Sequence, residues 1–483
     1  MNFERKVSRL IQRKEITRNI RLAVSLVIVA VLVAVAPADR SDAAARYVFL
    51  FIGDGMGAVQ RNAAEMYLAG MRDAMGETSE REYQLLMNGL PVSGSAGTDS
   101  LSGITDSAAS GTAIATGKKA VNGAIAMDPK TGERFDSIAT LAHRRGMKVG
   151  IVTSSFLQDA TPAVFYGHAP KRTEHRSLAA QLSDSGFEYF AGGGFRNRPK
   201  KDRSGMTPAD VARSKGYRVT ESSDGLESLV PGEKSIAMHP GLSSGMMPWA
   251  IDEKPGPSLA DFVRKGIDLL NSESGFFMMV EGGKIDLACH ANDAASAVRE
   301  VLDFDNALGV AMSFHREHPD DTLIVVTSDH ETGGMSISMT PGECSAFYGI
   351  LSRQKRSHQA FEGMVSRLTG SGLENGIARG AEFFGARLTA TEALRDAWKM
   401  SMTDKEGRPS KSKVYKRLYG PYDPFTMACM REMNASAGVR WETFYHTGVN
   451  VPVSAIGREA ETFAGYYENT GIFDRLAAAM SLR

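Results

Sequence analysis

Four short, near-continuous apolar runs constrain the fold of this chain more than any other feature: Tyr47 to Ile52, Val149 to Val152, Phe276 to Val280 and Leu323 to Thr327. Each has the length of a strand and is rich in β-branched or aromatic residues, which predicts strands buried on both faces. Helix-like stretches lie between them, such as residues 291–314, with apolar Val298, Val301, Leu302 and Ala307 on one side. Strands alternating with helices imply βαβ units. The expected fold class is therefore α/β, a doubly wound and mostly parallel central sheet with helices on both faces.

The residues just after each run carry the chemistry. Tyr47–Ile52 runs into Gly53-Asp54-Gly55-Met56-Gly57, Phe276–Val280 into Glu281-Gly282-Gly283, and Leu323–Thr327 into Ser328-Asp329-His330-Glu331-Thr332-Gly333-Gly334. Three parallel strands would thus each place a carboxylate at the carboxyl end, beside glycines that leave room for close approach. In open α/β sheets that edge is where ligands bind. Several acids and a histidine gathered there would repel one another and pay for desolvation unless cations were present.

Single motifs are weaker. Gly53–Gly57 has the wrong spacing for a dinucleotide loop, and its aspartate would repel a pyrophosphate. Asp286 and His290, four residues apart, would share a helix face and could grip one ion. In isolation a capping aspartate beside an unrelated histidine explains them better; Glu281 upstream shifts that balance. Asp329-His330 offers a carboxylate and an imidazole. Cys289 fits a small buried residue better than a zinc ligand. The small residues Ser107 to Thr116 suit a slim helix with a hydroxyl at its start, either a plain N-cap or a serine whose helix end attracts an anion.

Bulk properties narrow the class. Formal net charge is zero, but the first 45 residues hold eight Lys/Arg and four Asp/Glu, leaving 48 basic and 52 acidic residues beyond them. A mildly acidic body without a basic stripe argues against nucleic acid as the main partner. A basic region (Arg5 to Arg21), an apolar run from Leu22 to Pro37 and the small residues Ala43-Ala44-Ala45 stand in the order of a secretory signal. Residues 1–45 are expected to be a signal peptide or an N-terminal anchor. The body is then exported, periplasmic or extracellular, with membrane contact only if residues 22–37 stay uncleaved. Three cysteines (Cys289, Cys344, Cys429) allow at most one internal bridge.

Six segments together resemble the alkaline phosphatase family: FIGDGMG at 51–57, TDSAASGTAIATGKK at 105–119, VTSSFLQDATPAVFYGHAPKR at 152–172, VEGGKIDLACH at 280–290, TSDHETGG at 327–334 and FYHTGVNVPV at 444–453. Their order matches too. With weaker similarity around AGGG (191–194) and MPWAID (247–252), the resemblance covers most of 46–334 and 440–475. Any one piece is weak; six in order are highly specific.

The resemblance implies hydrolysis of small phosphate monoesters through a phosphoserine, with two Zn2+ and one Mg2+ as cofactors. Ser107 matches the nucleophile. Asp286, His290 and His446 match the ligands of the zinc that activates water and receives the leaving oxygen. Asp54, Asp329 and His330 match those of the zinc that holds the serine oxygen. Asp54 would bridge to a magnesium held with Thr161 and Glu281. Arg172 matches the arginine that clamps two phosphate oxygens, with Asp159 behind it near the substrate. A homodimer is the family's usual assembly. The chemistry is coherent. Metal coordination activates a serine, paired divalent ions stabilise entering and leaving oxygens, and a guanidinium forks onto two oxygens. Imidazole-containing sets suit zinc, whereas oxygen-rich sets suit magnesium.

Departures matter equally. Leu287 stands where many relatives carry lysine or histidine that helps hold phosphate. Residues 335–439 form a long excursion, expected as an inserted cap or crown-like region within a catalytic domain spanning 46–483. Its basic stretch, Lys405 to Arg417, reads as a solvated surface. A phosphodiesterase or sulfatase-like enzyme sharing the metal core is the rival reading within enzymes, and a phosphate- or metal-binding protein the rival outside them. Arg172 and a serine nucleophile favour monoesters.

Overall fold

Continuous apolar runs become the middle of a ten-stranded sheet. A computed structural model describes residues 44–73, 84–196, 205–252, 255–338, 348–368, 370–385, 388–403 and 413–482. The basic and apolar N-terminal segments, Cys344 and residues 405–412 lie outside them. The strands are β1 (Tyr47–Ile52), β2 (Val92–Gly97), β3 (Lys148–Thr153), β4 (Tyr189–Gly192), β5 (Arg218–Thr220), β6 (Ser235–Met238), β7 (Phe276–Glu281) and β8 (Thr322–Thr327). After these come β9 (Glu331–Thr332), β10 (Met335–Ile337), β11 (Val439–Trp441), β12 (His446–Thr447), β13 (Val451–Gly457) and β14 (Gly465–Glu468). The large sheet has the order β14-β2-β13-β8-β1-β7-β3-β4-β6-β5.

Both faces of the central strands are covered. Tyr47, Phe49 and Phe51 enter one apolar cluster, shared with the helices Leu259–Leu270 and Ala294–Glu317. Val48, Leu50 and Ile52 enter the other, with the helices Ile138–Arg144 and His175–Asp184. Each fully buried phenylalanine contributes roughly 1.5–3 kcal/mol by leaving water. This two-sided burial is why β1, β7 and β8 read as unbroken apolar runs. The long helix begins at Ala294 rather than at 291, because Gly283–His290 forms a separate helix ahead of it.

All pairings within the large sheet are parallel except those of β13, which runs antiparallel to both β2 and β8. The cause is local. After β8 the chain forms β9, and it returns through β12, which pairs with β9 in a small sheet of its own. Re-entering the sheet at the edge where β8 left it, β13 can only run backwards.

The register aligns the functional edge. Ile52 is level with Glu281 on one side and Thr327 on the other, and Thr153 is level with Glu281. The carboxyl ends of β1, β3, β7 and β8 therefore finish together. A third apolar cluster, around Phe361, Phe384, Trp398 and Phe425, is built from the helices His358–Val365, Leu373–Phe384, Glu392–Met402, Lys413–Tyr419 and Pro424–Ser436. Cys289 and Cys429 are buried free thiols. Among the described residues no helix is long and apolar enough to cross a membrane.

Candidate active site

Ser107 opens the helix Ser107–Thr116, all ten residues of which are buried. The cap is not Ser107 but Asp106, whose Oδ1 accepts from the Ala109 N–H at 3.0 Å and from the Gly123 N–H at 3.1 Å. That leaves the serine hydroxyl free to point at the sheet edge, where Oγ lies 3.2 Å from His330 Nε2. The positive end of the helix faces the same space, a setting that favours an anion on the serine.

The acids converge as their strand ends require. His330 Nε2 is 3.2 Å from Asp329 Oδ2 and 3.5 Å from Asp54 Oδ1. Thr161 Oγ1 reaches Asp54 Oδ2 at 3.4 Å, and Thr153 donates its hydroxyl to Glu281 Oε2. Three carboxylate oxygens, Asp54 Oδ1, Glu281 Oε1 and Asp329 Oδ2, are buried without a hydrogen-bond partner among the described residues. Such oxygens are costly to bury unless a cation or proton meets them. Burial and the charges of Asp329 and Asp286 push the Asp54 carboxyl well above its ordinary range. Burial, then Asp159, lifts Glu281 to about 8. Burial, then Asp286, lifts Asp329 to about 7.

The second cluster lies on the Gly283–His290 helix and the returning chain. Asp286 Oδ2 is 3.3 Å from His290 Nε2, one helical turn on, and Asp286 Oδ1 is 3.8 Å from His446 Nε2. The two imidazole Nε2 atoms stand 3.2 Å apart. His290 Nδ1 donates to the Phe444 carbonyl at 2.6 Å, and His446 Nδ1 to the Thr105 carbonyl at 2.8 Å. A carbonyl only accepts, so each Nδ1 carries a proton and each Nε2 is the nitrogen turned inward, a lone-pair donor once the ring is neutral. Burial pushes Asp286 upward, but His290, His446 and His330 outweigh it and hold the carboxyl far below its usual range. Burial would lower His290; Asp286 beside it prevails and raises it to about 9. His330 has its pKa depressed, first by burial and then by His446, whose ring stacks on it at 3.7 Å.

Two sets therefore qualify as cation sites: Asp54 with Asp329 and His330, and Asp286 with His446 and His330, each with ligand atoms within 4.8 Å of one another. His330 is in reach of both, and His290 joins the second through its contacts to Asp286 and His446. Gly55, at φ +69, is required here: a Cβ would lie 2.9 Å from Asp286 Oδ1.

Arg172 closes the cluster on the solvent side. Nη1 is 3.3 Å from Asp106 Oδ2 and Nη2 is 3.2 Å from Asp159 Oδ1, with the side chain 31% exposed. Burial would lower its pKa, but Asp159, Asp106 and Asp54 more than offset that and raise it. Asp159 in turn accepts from Ser155 Oγ at 2.6 Å and caps the short Ala160–Ala163 helix that carries Thr161. All the residues singled out in the sequence thus meet at one sheet edge. Cys289 does not join them; it is buried behind the helix, 3.9 Å from Gln60 Nε2.

Sequence reasoning misses four positioning residues. Asp106 is overshadowed by its neighbour Ser107. Thr332 donates to Asp286 Oδ1 and lies 3.2 Å from His330 Nδ1. Glu331 accepts from Gln60 Nε2, Gly334 N, Met335 N and Thr447 Oγ1. Ser328 accepts from Met56 N and donates to the Gly53 and His330 carbonyls. Three of the four lie in the TSDHETGG segment at 327–334, the signal that could have marked them.

A doubly wound sheet with carboxylates and imidazoles gathered at its carboxyl edge, a serine at a helix start and a part-buried arginine define the class of metal-assisted hydrolases acting on anionic esters. The comparisons with known proteins narrow it. A family model described as alkaline phosphatase matches residues 45–191 and 212–482. The chain is 30% identical to alkaline phosphatase 4 of Bacillus subtilis, over 90% of this chain and 89% of that one. It is 27% identical to the streptomycin-6-phosphate phosphatase of Streptomyces griseus, over 95% and 96% of the two chains. The cold-active alkaline phosphatase of the psychrophile Shewanella sp. superposes with a TM-score of 0.74 at 30% identity, covering 90% of this chain and 99% of that one. The chain belongs to the alkaline phosphatase family. It is a phosphoric monoester hydrolase, and its donor sets together with its family imply metal cofactors.

Proposed function

We propose that the chain hydrolyses phosphate monoesters in two steps through a phosphoserine at Ser107. The observation that carries this reading is the pair of unpartnered buried carboxylate oxygens, Asp54 Oδ1 and Asp329 Oδ2, beside His330, whose Nε2 lies 3.2 Å from Ser107 Oγ. Asp286, His290 and His446 would hold one zinc, Asp54, Asp329 and His330 a second, and Asp54, Thr161 and Glu281 a magnesium. When bound, these ions supply positive charge that neutralises the phosphate, lowers the pKa of the serine hydroxyl and of water, and stabilises the departing oxygen.

The residues then divide the work. Arg172 exchanges its aspartate partners for two phosphate oxygens and orients phosphorus toward Ser107. Ser107 Oγ forms a bond to phosphorus as the bond to the alcohol oxygen breaks; the serine gives up its proton and the departing alkoxide takes one up. The helix N-terminus steadies the charge on the phosphoserine. Water then breaks the Ser107 Oγ–P bond, releasing phosphate and restoring the hydroxyl. We read residues 46–483 as the catalytic domain and 335–439 as its embedded cap, a reading supported by the separate apolar cluster of the helices within that segment. Export rests on the N-terminal order of basic, apolar and small residues, and N-terminal sequencing of the secreted protein would test it by locating cleavage near Ala45.

The direct test supplies the purified protein with zinc and magnesium at alkaline pH and compares an aryl phosphate monoester with the matching diester. Monoester turnover that is lost on chelation is the expected result. A preference for the diester would move the assignment to a phosphodiesterase, and bound metal without turnover would leave a binding protein.

A further inference from the structure

A cavity of about 710 Å3 adjoins the metal-ligand cluster and shares His290 with it. Its volume lies within the roughly 300–1,000 Å3 range of small-molecule sites. Helices of the 348–436 segment supply most of its wall, and Leu287 and His290 supply the side next to Asp286. Aromatic and aliphatic surface dominates, from Leu287, Val365, Tyr415, Tyr422, Phe444 and Tyr445.

Several polar groups of this wall are already engaged. The Tyr415 hydroxyl donates to the Tyr422 carbonyl at 3.2 Å. Asp423 caps the Pro424–Ser436 helix through the Thr426 N–H, and Glu362 accepts from the Asp423 N–H at 2.8 Å. His290 donates its Nδ1 proton to Phe444. A sugar or polyol entering this space would have to leave water with few partners for its hydroxyls, which is unfavourable. A flat apolar group loses nothing of that kind and gains contact with the aromatic walls.

Taking the reaction as proposed above, on which this inference rests, we propose that the cavity receives the alcohol portion of the substrate and selects phosphate monoesters of aromatic alcohols. The occupant follows from continuity. The alcohol oxygen departs beside Asp286, His290 and His446, and His290 is also a wall of the cavity. Leu287, on the same helix turn as Asp286, turns an apolar side chain toward that space. Lys416 at the rim is exposed and its ammonium makes no hydrogen bond or ion pair among the described residues, so it is available for an acidic substituent on the ring.

The test measures kcat/KM for 1-naphthyl phosphate, methyl phosphate and glucose 6-phosphate with the full chain, and for two variants that fill the cavity from different helices, Ser366→Trp and Lys416→Trp. Both positions are exposed. The wild-type protein should favour the naphthyl ester over each of the others by roughly tenfold or more, and each tryptophan should cut the naphthyl-to-methyl ratio by a similar factor. Inhibition by inorganic phosphate is read alongside as a measure of the phosphate site. Equal use of the three esters, a preference for the sugar phosphate, or ratios untouched by both tryptophans would overturn the pocket assignment while leaving the phosphatase reading in place. Failure to hydrolyse any of the esters would remove both.

Discussion

The Nε2 atoms of His290 and His446 face each other at 3.2 Å, while both rings commit their Nδ1 protons to backbone carbonyls. Two inward lone pairs at that separation repel unless a proton or a cation lies between them. Without metal a proton on His290 serves, favoured by the ionised Asp286 beside it, which raises His290 to about 9.

Metal binding should therefore release protons. At pH 6.5, His290 (about 9), Glu281 (about 8) and Asp329 (about 7) hold protons that ligation must displace. Calorimetric titration of stripped protein with zinc in buffers of different ionisation heat should show at least one proton leaving per metal at pH 6.5 and fewer at pH 9. Apparent affinity should rise with pH over that interval. Heats independent of the buffer would contradict the assignment.

The stability of the metal-free protein should fall as pH rises through the same window. Glu281, Asp329 and His290 all bind protons more tightly folded than unfolded, so the folded state holds more protons between their ordinary pKa values and about 7 to 9. Their stabilising share is present at low pH and is lost on going up. Asp286, held low, acts in the opposite sense only in strongly acidic solution. Chelated protein should lose Tm between pH 6.5 and 9, and the metal-loaded protein should lose much less. A Tm of stripped protein that rises over this range would refute the electrostatic account.

Ser107→Ala should abolish covalent labelling by phosphate at low pH and reduce turnover by at least about a thousandfold, with metal content and Tm nearly unchanged. The fold tolerates the change because Asp106, not Ser107, caps the helix. Asp106→Ala, by contrast, should cost about 1 kcal/mol of stability through the lost cap. Labelling that persists on another residue would displace Ser107 as the nucleophile.

Arg172→Ala should raise the inhibition constant for inorganic phosphate by roughly one to two orders of magnitude without loss of zinc, because its forked contacts go to Asp106 and Asp159 rather than to the proposed metal ligands. Arg172→Lys should recover only part, since an ammonium cannot span two oxygens. Parallel loss of phosphate and zinc binding would mean that Arg172 supports the metal cluster instead.

Glu331→Gln should weaken metal retention through His446. The two Glu331 oxygens accept four donors, one of them from Thr447, next in the chain to His446. An amide nitrogen there would face donors instead of accepting from them. A 10- to 100-fold loss in zinc affinity is expected, the usual effect of disturbing a ligand's support, with activity recovered in excess zinc. Loss of turnover that excess zinc does not restore would argue for a direct role.

Much of the fold and site is legible in the sequence because it is encoded locally. An unbroken run such as Phe276–Val280 can only suit a strand buried on both faces, and the acid or glycine after it is fixed by the next bond in the chain. Asp286 and His290 announce a shared helix face by their spacing, and the structure brings them to 3.3 Å. The helix beginning at Ser107 is legible as well, but its cap is not. A serine and an aspartate in adjacent positions compete for that role; Asp106 takes it, and its carboxylate also accepts from the distant Gly123 N–H.

Other features exist only once the chain has closed on itself. The antiparallel sense of β13 comes from where β12 meets β9, more than a hundred residues after β8. His446 owes its tautomer to the carbonyl of Thr105, and the aromatic cavity beside His290 needs helices from the 348–436 segment to be folded against Phe444 and Leu287. The sequence by itself determined the strands, the acids at their ends and the family pattern, since periodicity and short spacings act within a few residues. Tertiary structure alone decided which lone pairs face inward, which oxygens lack partners and what shape adjoins them, because those depend on contacts between residues that the covalent chain holds far apart.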